Sequence, residues 1–262
     1  MQNVKPKKQL GQHFLTDLRI AQKIVDALDY AGNALEVGPG MGVLSQYLLQ
    51  RPELEMRLVE VDRESVDYLN GAFPGAGERV LHADFLKTDA DTYFGPGAPF
   101  AVIGNFPYNI SSQIFFRILD VRDRVPMVVC MLQREVALRL ASGPGTRDYG
   151  ILSVFLQAYY DIEYLFTVDE NVFNPPPKVK SGVIRLRRNG VEKLGCDEEL
   201  FRRVVKSTFG QRRKMIWNGL KALGLDLSAL QESPMVKRRP EQLGVGEFVE
   251  LTNMIAGLRG AS

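Results

Sequence analysis

The segment Glu36-Val37-Gly38-Pro39-Gly40-Met41-Gly42 decides the fold, because it follows a short apolar run, 34–37, and precedes a helical pattern that starts at Val43. Glycines at alternate positions let the backbone turn sharply and approach a ligand without a Cβ atom in the way. In a parallel α/β sheet such a turn lies at the carboxyl edge, where nucleotides bind. Position 43 is valine, so the spacing is Gly-x-Gly-x-Gly and not the dinucleotide-binding Gly-x-Gly-x-x-Gly. The segment therefore predicts an α/β fold with a nucleotide-like ligand.

Seven apolar runs of strand length alternate with helical patterns through the first 190 residues, which is typical of βαβ units and a mostly parallel sheet. The predicted strands are 34–37, 57–61, 79–83, 100–104, 127–132, 162–168 and 182–186. Apolar residues then repeat at helical spacing at 201, 204 and 205 and at 216, 220 and 223, and a third helix is predicted from 247 to about 258. We therefore expect a Rossmann-like sheet domain over residues 1–188 and a small C-terminal helical domain over residues 189–262.

The charge of the chain is unevenly distributed. Its formal net charge is +2, but the segment from Lys178 to Pro240 carries 16 Lys and Arg against 6 Asp and Glu, a net of +10, which leaves −8 for the rest. Such a concentration is the electrostatic footprint of a polyphosphate partner. The basic helical domain is therefore predicted to bind nucleic acid, although for any one arginine a solvated helix face is the simpler explanation.

Composition excludes several classes of protein. With 262 residues, 45% hydrophobic and 24% charged, the chain is long and apolar enough for a folded core. Two distant cysteines, Cys130 and Cys196, form no disulfide framework and suit a reducing compartment. The two histidines, His13 and His82, have no metal-ligand spacing, and there is neither a Walker phosphate loop nor a membrane-length apolar run. We expect a cytoplasmic protein without a metal site and without a membrane partner.

Acidic residues follow the second and third predicted strands. Glu60 lies 18 residues beyond Gly42, near the spacing at which a carboxylate reaches a ribose diol. Either Glu60 or Asp62 suits this role, and we favour Glu60 because Asp62 is placed to cap the helix that follows. Asp84, after the third strand, is placed to accept a hydrogen bond from an adenine amino group. The set describes an adenosine-containing ligand without a phosphate cradle, which favours S-adenosylmethionine over NAD.

The turn Asn105-Phe106-Pro107-Tyr108, after the fourth predicted strand, is the candidate reactive site. An exocyclic amine on a nucleobase is a poor nucleophile because its lone pair is delocalised into the ring. If the Asn105 side-chain oxygen and the Phe106 carbonyl accept its two N–H bonds, the lone pair turns toward a sulfonium methyl. No carboxylate base is required, since the nitrogen becomes acidic once alkylated. Tyr108 would stack on the target base, which must leave its own stack to reach the pocket.

These motifs together resemble the small-subunit (16S) ribosomal RNA adenine dimethyltransferases of the KsgA type. The likeness covers nearly the whole chain: Gly11-Gln12-His13-Phe14-Leu15 and residues 36–40, 59–62, 84, 104–112, 133–137, 149–150, 152–154, 173–179 and 209–214. The resemblance implies a Rossmann-like, S-adenosylmethionine-dependent enzyme that dimethylates two adjacent adenosines in the 3′-terminal hairpin of small-subunit rRNA. It also implies action on a partly assembled ribosomal subunit. Nothing in the sequence calls for more than a monomer.

The resemblance also implies which residues form the site. The family's cofactor contacts fall on His13, Leu15, Gly38, Glu60, Asp84 and Asn105. The family often has Asn at position 13, so a backbone contact is favoured there over a side-chain one. The family's tetrapeptide is usually Asn-Leu-Pro-Tyr; because only the carbonyl of Phe106 is needed, we expect the chemistry to survive with a different pocket wall. Phe173 matches the aromatic residue that faces Tyr108 across the target base.

Three alternatives stand beside this interpretation. The related large-subunit rRNA adenine methyltransferases of macrolide resistance typically have Asn-Ile-Pro-Tyr and lack the segment Arg212-Arg213-Lys214 in this form. A DNA adenine methyltransferase would share the reactive turn, but the helical domain shows no recognisable DNA-reading helix-turn-helix. A mainly non-catalytic ribosome assembly factor would use the same docking surface, and catalysis-deficient variants would separate this role from methylation.

Overall fold

The computed structural model describes residues 4–259 and divides the chain into two compact units. The first comprises the chain up to Leu138 together with Asp161–Arg188, and the second comprises Arg139–Tyr160 together with the chain from Asn189 onward. The segment Arg139–Tyr160, which the sequence pattern placed with the sheet, thus belongs to the helical unit. The reason is packing, because its aromatic side chains meet those of the helices in that unit.

The strands of the described chain form one large sheet and one small ribbon. They are β1 Phe14–Leu15, β2 Gly32–Val37, β3 Leu54–Glu60, β4 Val80–His82, β5 Ala101–Asn105, β6 Met127–Gln133, β7 Tyr160–Val168, β8 Phe173–Asn174 and β9 Ser181–Arg188. The large sheet has the order β4-β3-β2-β5-β6-β9-β7, and β1 pairs with β8. All seven predicted strands are present in the sheet, so the predicted α/β fold is confirmed.

The centre of the sheet is parallel. β2 pairs in parallel with β3 on one side and with β5 on the other, and β6 continues the parallel set beyond β5. The next strand, β9, is antiparallel to β6. The chain adds β3 and β4 on one side of β2 and then returns to add β5 on the other. Such a switch in strand order opens a crevice at the carboxyl ends of β2 and β5, where α/β proteins bind ligands.

The helices of the described chain flank the sheet or build the second unit. They are α1 Leu18–Asp26, α2 Ser45–Leu48, α3 Arg63–Ala72, α4 Asp91–Phe94, α5 Ser111–Asp120, α6 Arg134–Ala141, α7 Ile151–Gln157, α8 Glu198–Phe209, α9 Ile216–Leu220 and α10 Val245–Arg259. The α1 helix begins where the Asp17 carboxylate accepts hydrogen bonds from the Arg19 and Ile20 N–H groups. Across residues 4–259, no helix has both the length and the apolar character that crossing a bilayer requires.

Aromatic side chains form the core of the helical unit. Phe209 of α8 lies between Tyr149 and Phe248, with ring centroids 6.3 and 6.0 Å away. Phe155 of α7 lies 6.2 Å from Phe201 of α8. The three helices predicted from apolar spacing are therefore present as α8, α9 and α10, and α7 completes their packing.

Candidate active site

A cavity of about 230 Å³ lies at the carboxyl ends of the parallel strands of the sheet unit. Its lining comes from residues 9–15, 36–41, 43–44, 59–61, 83–86, 105–110 and 114. These ranges hold the ends of β2, β3 and β5 and the turn after β4, so the sheet brings together the separate motifs of the sequence. One wall is formed by β1 and the segment before it, which together carry Leu15 and His13.

The three glycines after β2 have different uses, although all have positive φ angles of 68°, 56° and 74° at Gly38, Gly40 and Gly42. A Cβ on Gly40 would lie 2.8 Å from the Phe14 ring, and a Cβ on Gly42 would lie 2.4 Å from the Phe73 ring. A Cβ on Gly38 would meet no heavy atom within 4 Å. Gly40 and Gly42 therefore serve packing as well as backbone geometry, whereas Gly38 leaves open space for a ligand.

Glu60 is buried at the tip of β3 and stabilises the glycine turn. Its Oε2 accepts the Gly40 N–H at 3.0 Å, and its Oε1 accepts the Asp62 N–H at 2.9 Å. Burial raises the pKa of the Glu60 carboxyl, and these backbone donors oppose the rise. The side chain lines the cavity, as the proposed ribose contact requires.

Asp62 does not cap α3 as expected. It occupies the N-cap position, but its carboxylate accepts no backbone N–H there. Its Oδ1 lies 2.5 Å from Lys7 Nζ, and its Oδ2 accepts hydrogen bonds from Gln12 Nε2 at 3.3 Å and Ser65 Oγ at 3.1 Å. Burial opposes ionisation, yet the hydrogen bonds from Lys7, Gln12 and Ser65 prevail and lower the pKa of Asp62. Asp62 thus fastens the N-terminal wall of the cavity to the sheet.

Glu36 is a second buried carboxyl group beside the cavity, and the sequence interpretation gave it no role of its own. Its Oε2 accepts a hydrogen bond from Ser45 Oγ at 2.6 Å. Burial raises its pKa to about 8, the Ser45 hydrogen bond opposes that rise, and the nearby Glu60 charge adds to it. At neutral pH the site therefore holds one largely protonated carboxyl at the end of β2.

Asn105 is held by the N-terminal wall. Its Nδ2 donates to the His13 carbonyl oxygen at 3.0 Å, which leaves Oδ1 as the acceptor end of the amide. Phe106 is fully buried, its ring packs edge-on against Phe115 at 5.7 Å, and its N–H donates to the Met131 carbonyl at 2.9 Å. The reactive turn is thus fixed by the sheet below it and by the segment beside it.

Tyr108 is fixed at its ring and at its hydroxyl. The ring stacks on His13 with centroids 5.5 Å apart and an interplanar angle of 29°. The hydroxyl lies 2.5 Å from Ser181 Oγ, and burial raises the pKa of Tyr108 while this hydrogen bond opposes the rise. Phe173, the predicted second stacking surface, is only 4% exposed, lies in the hydrophobic core and does not line the cavity. The role of Phe173 as the second stacking surface therefore stays a prediction.

The structure also places the remaining predicted residues. His13 Nδ1 lies 2.8 Å from the Pro175 carbonyl oxygen, and its neighbour Leu15 is buried. Asp84 lines the cavity while its Oδ1 accepts the Leu86 N–H at 2.9 Å. All predicted cofactor contacts therefore line one cavity, together with Phe106, Pro107 and Tyr108.

Comparison with known proteins decides the family. The family model described as "Ribosomal RNA adenine dimethylase" matches residues 3–242. The chain belongs to this family. It is 57% identical over 255 residues to the Ribosomal RNA small subunit methyltransferase A of Parabacteroides distasonis, covering 96% of this chain and 94% of that relative. The protein of the same name from Cytophaga hutchinsonii is 53% identical over 260 residues, covering 98% of this chain and 100% of the relative.

Solved structures share the fold of this chain. A dimethyladenosine transferase from Plasmodium falciparum superimposes with a TM-score of 0.77 at 22% identity, covering 94% of this chain and 98% of that one. The 23S rRNA methyltransferase ErmE superimposes with a TM-score of 0.65 at 26% identity, covering 93% and 99% of the two chains. The family and its neighbours have a Rossmann-like methyltransferase sheet, as the sequence predicted.

Three residues of the site were missed by sequence reasoning. Ser181 and Lys7 meet their partners across 73 and 55 residues of chain, so no local pattern indicates them. Glu36 stood within the quoted glycine motif, and its place directly before Val37 and Gly38 was a usable signal. A carboxyl group at the end of a buried parallel strand needs a hydrogen-bond partner, and Ser45 supplies it.

Proposed function

We propose that this protein transfers methyl groups from S-adenosylmethionine to the N6 amines of two adjacent adenosines in the 3′-terminal hairpin of small-subunit rRNA. The observation that carries the proposal is one cavity containing both the glycine and acid motifs and the Asn105-Phe106-Pro107-Tyr108 turn. The relatives named Ribosomal RNA small subunit methyltransferase A support the choice of small-subunit rRNA. The enzyme is an S-adenosylmethionine-dependent rRNA adenine methyltransferase.

The residues present fit S-adenosylmethionine. The open space at Gly38 is a cradle that any Cβ would fill, and Glu60 supplies buried carboxylate oxygens at the ribose end. Asp84 is assigned to the adenine amine, and His13, Leu15 and Asn105 form the remaining contacts. When bound, the cofactor supplies an electrophilic methyl group on a sulfonium. Since His13 Nδ1 is near the Pro175 carbonyl and the His13 carbonyl accepts from Asn105, we assign the contact to the His13 backbone N–H.

The reactive turn activates the target amine by orientation. Asn105 directs Nδ2 to the His13 carbonyl, so Oδ1 is the atom that accepts one N–H of the adenine amine. The Phe106 carbonyl accepts the second N–H. Together these acceptors draw the nitrogen toward tetrahedral geometry and aim its lone pair at the methyl group. The proton leaves the nitrogen after alkylation, when it has become acidic, and a carboxylate base is not part of the step.

Tyr108 supplies the stacking surface for the flipped adenine. His13 covers one face of its ring, which assigns the base to the other face. Stacking of a base on an aromatic side chain contributes about 1–3 kcal/mol. We retain Phe173 as the second stacking residue. Because Phe173 is in the core and its backbone pairs with Leu15, contact with the base requires β8 to shift.

The helical domain is proposed to bind the rRNA backbone. Its exposed cations include Arg203, Lys206, Arg213 and Lys214. Arg212, in contrast, is half-buried and donates to the Arg147 carbonyl, so it has a structural task as well. RNA duplexes are recognised mostly through shape and phosphates, which suits such a surface. We propose a partly assembled small subunit as substrate, acted on in the cytoplasm by a monomer.

Methyl transfer to defined acceptors tests the proposed function. Labelled S-adenosylmethionine is incubated with unmethylated small subunits, with unmethylated large-subunit RNA and with DNA in parallel. We expect label on two adjacent adenosines near the small-subunit 3′ end. Label confined to large-subunit RNA would assign the protein to the macrolide-resistance type. Binding to small subunits without any label would leave only the assembly-factor role.

A further inference from the structure

The helical unit contains a second depression, of about 270 Å³, to which the proposed mechanism assigns no role. Its lining is Trp217, Lys221, Leu225, Asp226, Leu227, Ser228 and Gln231. Trp217 is the sole tryptophan of the chain and is half-buried, whereas its helix neighbours Ile216 and Leu220 are in the core. A large aromatic side chain therefore borders an open pocket at the surface.

The backbone holds Trp217 firmly. The N–H groups of Ile216 and Trp217 donate to the carbonyls of Arg238 at 2.8 Å and Val236 at 3.0 Å. Two residues later, a Cβ on Gly219 would lie 2.5 Å from the Cα of Thr208, so α9 packs directly against the backbone of α8. A backbone fixed in this way does not have to be ordered when a ligand stacks on the side chain that it carries.

One cation, Lys221, lines the Trp217 pocket, and two more precede Trp217 closely in the sequence. Lys221 Nζ lies 5.9 Å from the centroid of the Trp217 ring, and within residues 4–259 it makes no ion pair. Arg213 and Lys214 are exposed just before α9, and Met215 is 47% exposed beside them. This combination of cations with an aromatic face matches single-stranded RNA, which presents phosphates and unstacked bases together.

One anionic group inside the pocket argues against a phosphate at its centre. Asp226 accepts the Ser228 N–H through Oδ1 at 3.0 Å, which fixes the carboxylate at the pocket wall. A carboxylate repels a phosphate but accepts hydrogen bonds from the exocyclic amine of a base. The pocket thus separates base binding from phosphate binding. Its interior suits a base, and the Lys221 amine at its edge suits a phosphate.

We propose that the Trp217 pocket binds one unpaired nucleobase of an RNA strand. The base stacks on the indole ring, Asp226 accepts an exocyclic N–H, and Lys221 pairs with the adjoining phosphate. This inference rests on the proposed function, because it assumes that the helical domain meets RNA. It adds a base contact far along the chain from the methylation turn, at a position where the basic residues alone would supply only phosphate contacts.

The sole tryptophan permits a direct test with the full-length protein. A single-stranded, adenosine-rich octaribonucleotide is titrated at low salt while intrinsic fluorescence is recorded, and its affinity is measured separately by polarisation of a labelled octamer. We expect Trp217 fluorescence to be quenched with the same midpoint as the polarisation change. Octamer binding without any fluorescence change, or no octamer binding, would overturn the proposal.

Matched variants separate stacking from folding. We expect Trp217→Phe to keep octamer affinity within about threefold and Trp217→Leu to weaken it about tenfold, because only the first retains an aromatic face. Lys221→Gln should weaken octamer binding and reduce its salt dependence by about one phosphate contact. Lys237→Gln is the control and should change neither, because Lys237 is paired with Glu232 at 2.9 Å. Equal affinities for Trp217→Leu and Trp217→Phe would contradict the proposal even if both fold.

The methyl-transfer assay distinguishes the two possible failures. If the wild-type protein methylates small subunits but the octamer leaves Trp217 fluorescence unchanged, only the base pocket is wrong. If the wild-type protein transfers no methyl group to any acceptor, the proposed function is wrong whatever the octamer does. If a peptide or ribosomal protein quenches Trp217 and the octamer does not, the pocket binds protein and not RNA.

Discussion

The Asn105 side-chain amide donates from Nδ2 to the His13 carbonyl oxygen across 3.0 Å. This contact joins two motifs that are 92 residues apart in the chain. Because the donor end of the amide is occupied, its acceptor end is the part left for a substrate amine. The wall that carries His13 therefore fixes the orientation of Asn105, the residue to which we assign activation of the adenine amine.

Asn105→Ala should reduce kcat for methyl transfer by about 100-fold or more, the cost of removing a hydrogen-bonding group that acts in the transition state. Asn105→Asp should be similarly impaired, because it loses the donor to His13 and places an anion against that carbonyl. Single-turnover transfer to unmethylated small subunits measures both effects.

Binding of Asn105→Ala to small subunits should be retained within about threefold, since the helical domain is unchanged. Asn33→Ala is the matched control. Its Nδ2 donates to the Pro99 carbonyl at 2.9 Å at the other end of β2, so transfer should stay near the wild-type rate. Loss of transfer and binding together in Asn105→Ala would contradict this division of tasks.

Tyr108→Phe should keep most activity, because it loses only the hydrogen bond to Ser181 and retains the ring. Tyr108→Ala should lower kcat/KM for the RNA substrate about tenfold or more through lost stacking. Ser181→Ala should match Tyr108→Phe, and the double variant should be no worse than either alone. Additive losses in that double variant would show that the two hydroxyls act separately.

The sheet was predictable because its signals are local. Continuous apolar runs such as β6, Met127–Gln133, identify buried parallel strands, and the glycines after Val37 mark the turn that follows. The ribbon of β1 and β8 was not predictable, since strands of two residues carry no alternation to detect. That ribbon pairs Leu15, which lines the cavity, with Phe173, which lies in the core.

The chemistry of the site was only partly predictable, since side-chain partners lie far away in sequence. The distance of Glu60 from the glycine turn in the sequence made it a candidate site residue. Its hydrogen bond to the Gly40 N–H, in contrast, is visible only in the folded structure. Asp62 has the local signature of a helix cap, and this prediction was wrong because Lys7 and Gln12 claim its carboxylate. A tertiary ion pair thus replaced the local hydrogen bond.

Asp62→Asn should loosen the N-terminal wall of the cavity. The Asp62 side chain is 3% exposed and that of Lys7 29%, so we expect a loss of about 1–2 kcal/mol in unfolding free energy and a clear rise in KM for S-adenosylmethionine. The pKa of Asp62 is lowered from its ordinary value of 3.8, so this stability is present at neutral pH and is lost as the pH falls through the folded-state pKa. Urea unfolding at pH 7 and pH 3 measures the change.

Glu64→Gln is the matched control for Asp62→Asn. Glu64 also lies near Lys7, at 3.4 Å, but its side chain is 61% exposed, so its contribution should stay below about 0.5 kcal/mol. Equal effects of the two substitutions would show that the Lys7 ion pair with Asp62 does not hold the wall.

Glu36→Gln should remove a pH dependence from the stability of the cofactor-free protein. Burial raises the pKa of Glu36 to about 8, so the folded state binds a proton that the unfolded state releases at its ordinary value near 4.5. Wild-type stability is therefore lost as the pH rises between these values. We expect Glu36→Gln to gain about 2–4 kcal/mol relative to wild type between pH 5 and pH 9. Calorimetric unfolding across this pH range measures the difference. Glu55 is exposed, so the stability of Glu55→Gln should vary with pH as that of the wild type does.

Charge reversal in the helical domain should weaken RNA binding most at cations that are exposed and make no hydrogen bond within the protein. Arg213 and Lys214 are exposed, whereas Arg212 already donates to the Arg147 carbonyl. Arg213→Glu and Lys214→Glu should therefore each lower the slope of log K against log salt by about 0.7–0.9, the value of one phosphate contact. Arg212→Glu should in addition lower the melting temperature. Lys23→Glu, on α1 of the sheet unit, makes the same change of charge and serves as the control. An unchanged salt slope in the Arg212, Arg213 and Lys214 variants would place the RNA on another surface.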